Sequence, residues 1–296
     1  MASSRQSAAS SSLVLHQADI DVSTVRQLLN ECKQIDRLDA EVLLGEALSK
    51  GRAWLYAHDD AEPNMDQTDK FHAWVAQRRA GEPVAYLTGW RDFWSLRLSV
   101  TSATLIPRPE TELLVEQALA RLPESSPSTV LDLGTGSGAL ALAIAKERPL
   151  AVITATDNSP QALAVAKDNA LRLGLEQVNF LNGNWYQPLA AQQFNMIVSN
   201  PPYVAAVDPH LDRGDASHEP RSALTPGGDG LSACATIING ATAHLEAKGY
   251  LLLEHGYDQR TPLLQMLNTA DLELVEACDD LAGNPRVLVA QFGDLR

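Results

Sequence analysis

Val130-Leu131-Asp132-Leu133-Gly134-Thr135-Gly136-Ser137-Gly138, followed by a helical pattern over residues 139–147, decides the fold. An apolar run that ends in alternating glycines and passes into helical spacing reads as strand, turn and helix. Glycines at alternate positions let the backbone run close to a ligand and present N–H groups at a helix N-terminus. A dinucleotide-binding turn is the competing reading of such a loop, although the spacing here differs from G-x-G-x-x-G.

The segments that follow repeat this plan. A second strand, residues 152–157, ends in Asp157, about 20 residues past the glycines, where an acidic side chain takes ribose hydroxyls. Asp157 also reads as the N-cap of the next helix, whose apolar positions include Leu163, Val165, Ala166 and Leu171. A third strand, residues 178–181, leads to Asn182-Gly183-Asn184-Trp185, and a fourth, residues 194–199, delivers Asn200-Pro201-Pro202-Tyr203. Each candidate residue thus falls at the carboxyl end of a parallel strand, the place where open α/β sheets bind ligands.

The Asn-Pro-Pro-Tyr stretch suits the alkylation of a planar nitrogen. Such a nitrogen is a poor nucleophile because its lone pair is delocalised, so a catalyst must hold the NH2 group with acceptors. The Asn200 side-chain oxygen and the main-chain carbonyl of the adjoining proline each accept one N–H, which aims the lone pair at an electrophile. Pro201 and Pro202 fix φ and push their preceding residues out of the helical region, so the acceptor carbonyls stay extended. Tyr203 offers a flat wall for a planar group. An ordinary strand-to-loop exit also uses Asn-Pro and Pro-Pro, so the motif gains its meaning from the glycine loop upstream.

Composition narrows the classes. The 296 residues carry a formal net charge of −14 and no run of Lys or Arg, which argues against a nucleic-acid substrate. Three scattered cysteines, Cys32, Cys234 and Cys278, read as reduced thiols of a cytoplasmic protein. No apolar run approaches the ~20 residues of a membrane span. Residues 1–18 are serine-rich and read as an unordered N-terminus. Residues 19–82 carry helical spacing, as in Val25, Leu28, Leu29 and again Leu38, Val42, Leu43, Leu44, Leu48. Residues 86–90 and 93–100 read as two strands around a turn, placing a linking β-hairpin at 83–104, with a catalytic domain over 105–296. The stretch 204–229, rich in Asp, Pro, Gly and His, reads as a long functional loop. Its His210, Asp212, Asp215 and His218 fit no recognised metal spacing, and no metal is expected.

From about Leu28 onward the chain resembles the bacterial release factor glutamine methyltransferases. The resemblance rests on Arg37-Leu38-Asp39-Ala40-Glu41, Gly81 to Gly89, Leu105-Ile106-Pro107-Arg108-Pro109-Glu110-Thr111-Glu112, the glycine and Asn-Pro-Pro-Tyr motifs, and Glu219-Pro220-Arg221-Ser222-Ala223-Leu224. The Pro107 to Glu112 stretch is its specific part, since Asn-Pro-Pro-Tyr also occurs in similar enzymes that methylate exocyclic amines of nucleic-acid bases. The resemblance implies an α/β fold: a seven-stranded Rossmann-like class I S-adenosylmethionine-dependent methyltransferase sheet, with a small N-terminal helical docking domain. It implies S-adenosylmethionine as cofactor and peptide-chain release factors 1 and 2 as substrates, with no membrane or direct nucleic-acid partner. Gly134, Thr135, Gly136, Ser137 and Gly138 would lie along the methionine part of the cofactor, Asp157 would hold the ribose, and Asn184 and Trp185 would meet the adenine. Asn200, Pro201, Pro202 and Tyr203 would hold the amide of the glutamine in a Gly-Gly-Gln motif. Asn184 stands where the family usually has Asp, and His218 where Phe is common.

Overall fold

The structure, a computed structural model, describes residues 23–293, and the segment expected to be unordered lies outside them. The chain divides by packing into two units, one up to Val75 and one from Ala76 onward.

The first unit is built from α1 (Val25–Glu31), α2 (Arg37–Leu48), α3 (Arg52–Ala57) and most of α4 (Met65–Arg79). Thr24 opens α1 with a capping box: its hydroxyl accepts the Gln27 N–H while the Gln27 side chain accepts the Thr24 N–H. Asp36 caps α2 by accepting the Leu38 N–H. Leu28, Leu43, Leu44, Leu55 and Phe71 are buried. Buried among them, Glu41 takes hydrogen bonds from Tyr56, Arg52 and Arg37, which hold its carboxyl down at about 2.

The second unit opens with a correction. Residues 86–88, expected to begin the first strand, lie instead in α5 (Val84–Thr88). Its residues have strand-like propensity, but Pro83 starts a helical turn, with the Leu87 N–H donating to the Pro83 carbonyl, and Gly89 ends it in the left-handed region. Tyr86 then packs on Val100 and Ile106 and donates to the Thr104 carbonyl at 2.7 Å. The hairpin that follows is shorter than expected, β1 (Trp90–Phe93) against β2 (Leu96–Ser99). Trp94, read as a strand residue, sits in the turn at φ +55°. It is held there because its backbone N–H donates to Glu112 at 2.7 Å and its indole N–H to Glu147 at 2.8 Å.

The sheet contains β3 (Ser128–Leu133), β4 (Ala151–Asp157), β5 (Asn179–Asn182), β6 (Phe194–Ser199), β7 (Leu245–Glu254), β8 (Leu272–Asp279) and β9 (Pro285–Phe292), in the order β5-β4-β3-β6-β7-β9-β8. The first five in chain order pair in parallel; β9 runs antiparallel between β7 and β8. Alternate residues serve opposite faces, as strand geometry requires. Val130, Met196, Val198 and Leu252 join one core with α6 (Glu112–Leu119) and α7 (Ala139–Glu147). Leu131, Leu133, Ile197, Leu251 and Leu253 join the other with α10 (Ser232–His244) and α11 (Arg260–Thr269). The crossover α8 (Pro160–Leu173) is capped by Ser159, whose hydroxyl accepts the Ala162 N–H, and Asp157 is therefore not the cap. The long stretch 204–229 holds two 3-10 turns and the short α9 (Arg221–Leu224). Among the described residues no helix is long and apolar enough to cross a membrane.

Asn169 on α8 binds the hairpin to this sheet. Its side-chain oxygen accepts the Ser99 N–H at 2.7 Å, and its nitrogen donates to the Ser99 and Ser137 carbonyls at 3.0 and 2.9 Å. Being fully buried, it has no water to replace these partners. Asn169→Leu should cost about 2–4 kcal/mol, because it leaves more than one buried backbone group unpaired. Urea denaturation checks this, and an unchanged midpoint would contradict it.

Candidate active site

Chain order alone does not place the site; the sheet order does. The chain lays down β3, β4 and β5 in one direction and then returns to set β6 on the other side of β3. The loops leaving β3 and β6 therefore part, and a crevice opens between them at the carboxyl edge. A cavity of about 580 Å³ lies there, lined among others by Gly134, Gly136, Asp157, Asn184, Trp185 and Asn200.

The glycine loop is fixed to the end of β4, since the Gly134 and Thr135 N–H groups both donate to the Thr156 carbonyl. Gly134, Gly136 and Gly138 have φ of +73°, +57° and +86°, a region where a side chain is strained. Their surroundings differ. Gly134 and Gly136 border the cavity, and the Trp185 ring lies 3.4 Å from where a Gly134 Cβ would stand. Gly138 faces inward, where a Cβ would press on Leu142 and Ala166 at 3.0 and 3.3 Å, so this glycine serves helix packing. Thr135 and Ser137 are buried and do not border the cavity.

Two carboxylates support this loop. Asp157 accepts the Gly136 N–H at 2.9 Å with one oxygen and the Ser159 N–H at 2.8 Å with the other, so it arrives at the cavity already oriented. Burial raises its pKa against the pull of those N–H groups. Asp132 lies beneath, with one oxygen accepting the Thr135 hydroxyl at 2.6 Å and the Ala141 N–H at 3.3 Å. Its other oxygen is buried without a hydrogen-bond partner, and burial pushes this carboxyl up to about 7.

Asn200 stands where the large cavity meets a second one of about 180 Å³, which is lined by Arg108, Pro201, Tyr203, His210 and Leu211 among others. Its side-chain nitrogen donates to the Thr111 hydroxyl at 2.9 Å. With the nitrogen engaged, the oxygen is the end left for the cavities. Pro202 lines the larger cavity and Pro201 the smaller. The Tyr203 hydroxyl donates to Glu254 at 3.1 Å, and its carbonyl accepts from the Gln259 side chain at 2.8 Å. Gly230 crosses this carbonyl so closely that a Cβ would come within 2.3 Å of it, at φ +85°.

The stretch 204–229 forms a wall of the smaller cavity and is closed at its base, with the Val204 N–H donating to Leu224 and the Ala206 N–H to Gly228. Glu219 fastens it from within: its buried carboxylate accepts the Ile106 N–H at 2.9 Å and pairs with Arg108. Burial raises the Glu219 pKa, and Arg108 opposes that rise. Asp215 pairs with Arg78, Asp212 with Arg221 and Asp208 with His210. Among the described residues no group of three His, Cys, Asp or Glu side chains is placed to hold a metal.

Two stretches that are distant in sequence, 105–112 and 219–224, therefore meet at the site. Thr111, Glu254 and Gln259, which contact the Asn-Pro-Pro-Tyr segment, had no role assigned from sequence. The one local signal was a carboxylate, Glu254, ending the apolar run 250–253 of a buried strand.

The profile of the Methyltransferase small domain matches residues 109–229, and that of the PrmC N-terminal domain matches residues 22–89. A methyltransferase from Pyrococcus furiosus has the same fold, with a TM-score of 0.52 over 75% of this chain and 98% of that one, at 15% identity. The sheet order and the glycine-bordered cavity at its carboxyl edge define a class I methyltransferase. The release factor glutamine methyltransferase of Xylella fastidiosa is 52% identical over 91% of this chain and 98% of its own length, and that of Escherichia coli K12 is 45% identical over 88% and 94%. The chain belongs to the release factor glutamine methyltransferase family, as its motifs indicated.

The raised pKa of Asp132 gives a pH signature. In the unfolded chain this carboxyl titrates near its usual value of 3.8, in the folded protein near about 7, so between these values the folded state holds the extra proton. Its contribution to stability is then complete below about pH 4 and is lost as pH rises through 7. Asp132→Asn should remove that slope, so the stability difference between wild type and variant should change by a few kcal/mol across the window. Urea titrations at several pH values measure it, and parallel curves would refute the assignment.

Proposed function

We propose that this protein transfers a methyl group from S-adenosylmethionine to the side-chain amide nitrogen of the glutamine in the Gly-Gly-Gln motif of peptide-chain release factors 1 and 2. The meeting of the two cavities at Asn200 carries this reading. The larger has the size and donor set for the cofactor, and the smaller suits one side chain.

The residues of the larger cavity fit S-adenosylmethionine. Gly134 and Gly136 run along its methionine part, with Asp132, whose buried oxygen lacks a partner, as the nearby complement to positive charge. Asp157 retains lone pairs on both oriented oxygens for ribose hydroxyls. Asn184 and Trp185 meet the adenine. When bound, the cofactor supplies a methyl group on a sulfonium, whose carbon–sulfur bond breaks as the nitrogen–carbon bond forms.

The rest is the work of this chain. The Asn200 oxygen and the adjoining proline carbonyl each accept one N–H of the substrate amide, which turns its lone pair toward the methyl group. They also stabilise the positive charge that builds on nitrogen. The alkylated nitrogen then sheds its proton to water. Tyr203, fixed through its hydroxyl and its carbonyl, walls the amide plane. The helices between Val25 and Arg79 dock the release factor, and the cytoplasm, with the translation machinery, is the location this reading supports.

Labelled cofactor offered with a release factor, with the same factor carrying alanine for the motif glutamine, and with DNA tests the substrate. Label on the first alone is expected, and label on DNA would favour a base-directed enzyme instead. Asn200→Ala should lower kcat roughly a hundred- to a thousandfold with little change in cofactor affinity, because its acceptor acts mostly in the transition state. Asp157→Ala should weaken cofactor binding first, as a ribose contact is equally present before and during reaction. Calorimetry with single-turnover rates separates the two, and a normal rate for Asn200→Ala would end its assigned role.

A further inference from the structure

A side-chain amide has two ends of nearly equal size, one that donates and one that accepts, and a hydroxyl can partner either. For Asn200 the choice is decisive. With its oxygen toward the cavities it accepts substrate N–H groups; turned over, it would set its own N–H groups against them. We propose that Thr111 is the positioning residue that holds the Asn200 amide with its oxygen toward the cavities. This rests on the reading that Asn200 accepts the substrate amide.

The geometry gives the reason. Thr111 ends the 3-10 turn Pro109–Thr111, directly before α6, and is 4% exposed. Its oxygen accepts the Asn200 side-chain N–H at 2.9 Å. A threonine hydroxyl has one hydrogen. The Glu254 carboxyl, itself 1% exposed, has one oxygen without a hydrogen-bond partner, and the Thr111 hydroxyl opposes the rise of its pKa, so the hydroxyl hydrogen faces that carboxyl. With its hydrogen turned toward that carboxyl, the Thr111 oxygen offers lone pairs to Asn200, and the nitrogen end of the amide is the one that satisfies it.

The same carboxyl takes the Tyr203 hydroxyl at 3.1 Å, so Asn200 and Tyr203 are both referred to one buried acidic group. Burial pushes Glu254 up to about 7, and Arg286, which donates to the Tyr203 oxygen at 3.4 Å while pairing with Asp280 at 3.1 Å, opposes that rise. Thr111 has no contact with the reacting atoms in this account. Its action is through Asn200.

Thr111→Val keeps the shape and removes the hydroxyl; Thr111→Ser keeps the hydroxyl and removes the methyl. Full-length protein with a release factor as substrate gives kcat and KM, and calorimetry with S-adenosylmethionine gives the cofactor Kd. Thr111→Val should lower kcat roughly tenfold to a hundredfold, the scale of a misoriented catalytic group, with the cofactor Kd unchanged. Thr111→Ser should restore most of the rate. A wild-type kcat in Thr111→Val overturns the proposal. So does a loss of cofactor affinity that matches the loss of rate and is not rescued by serine, which would mark Thr111 as a packing residue. Asn200→Ala runs beside them: if it is inactive while Thr111→Val is fully active, only the positioning role fails, and if Asn200→Ala is active the reading beneath it fails as well.

Discussion

The parallel pairing of β3 with β4 on one side and β6 on the other is the constraint on which the rest depends. It brings three strand ends to one edge, so that a glycine loop, an aspartate and an asparagine arrive together although 66 residues separate the first from the last in the chain. Parallel strands are covered on both faces, and here each face carries its own apolar core. Fixed from both sides, the sheet leaves only its carboxyl edge for polar chemistry, and the buried carboxylates Asp132 and Glu254 both lie on strands that run toward that edge.

Burial shapes the electrostatics there. Asp132 and Glu254 are each pushed up to about 7, and Asp157 and Glu219 are raised as well, because each gives up water for a few protein donors. Such groups weaken the fold and sharpen the site. Each holds a neighbouring N–H or hydroxyl in one orientation: Asp157 the glycine loop, Glu219 the wall of the smaller cavity, Glu254 the Tyr203 hydroxyl. A site that must grip a flat amide has use for partners whose own positions are settled beforehand.

The sequence was most legible where the chemistry is local. The glycine run after an apolar strand, Asp157 at the next strand end and Asn200 before two prolines are each written within a few residues, and backbone physics reads them directly. The hairpin region was harder. Residues 86–88 look like the start of a strand by composition, yet Pro83, Gly89 and the packing of Tyr86 make them part of a helix. Trp94 looks like a strand residue, yet two glutamates from later elements hold it in a turn. Thr111 and Glu254 were not legible as partners of the motif, since 89 residues separate Thr111 from Asn200 and only the folded sheet brings them into contact.

The closed base of the stretch 204–229 makes that wall a separable module. Its ends are joined to each other by two backbone hydrogen bonds, Glu219 anchors it from within, and His210 and Leu211 line the smaller cavity, so only its exposed tip stands apart from the site's geometry. For a flexible loop whose ends are already fixed, doubling the length costs only about 0.6 kcal/mol of closure entropy. Val207, 90% exposed at that tip, is therefore a position where a longer or recharged turn leaves the cavity floor in place.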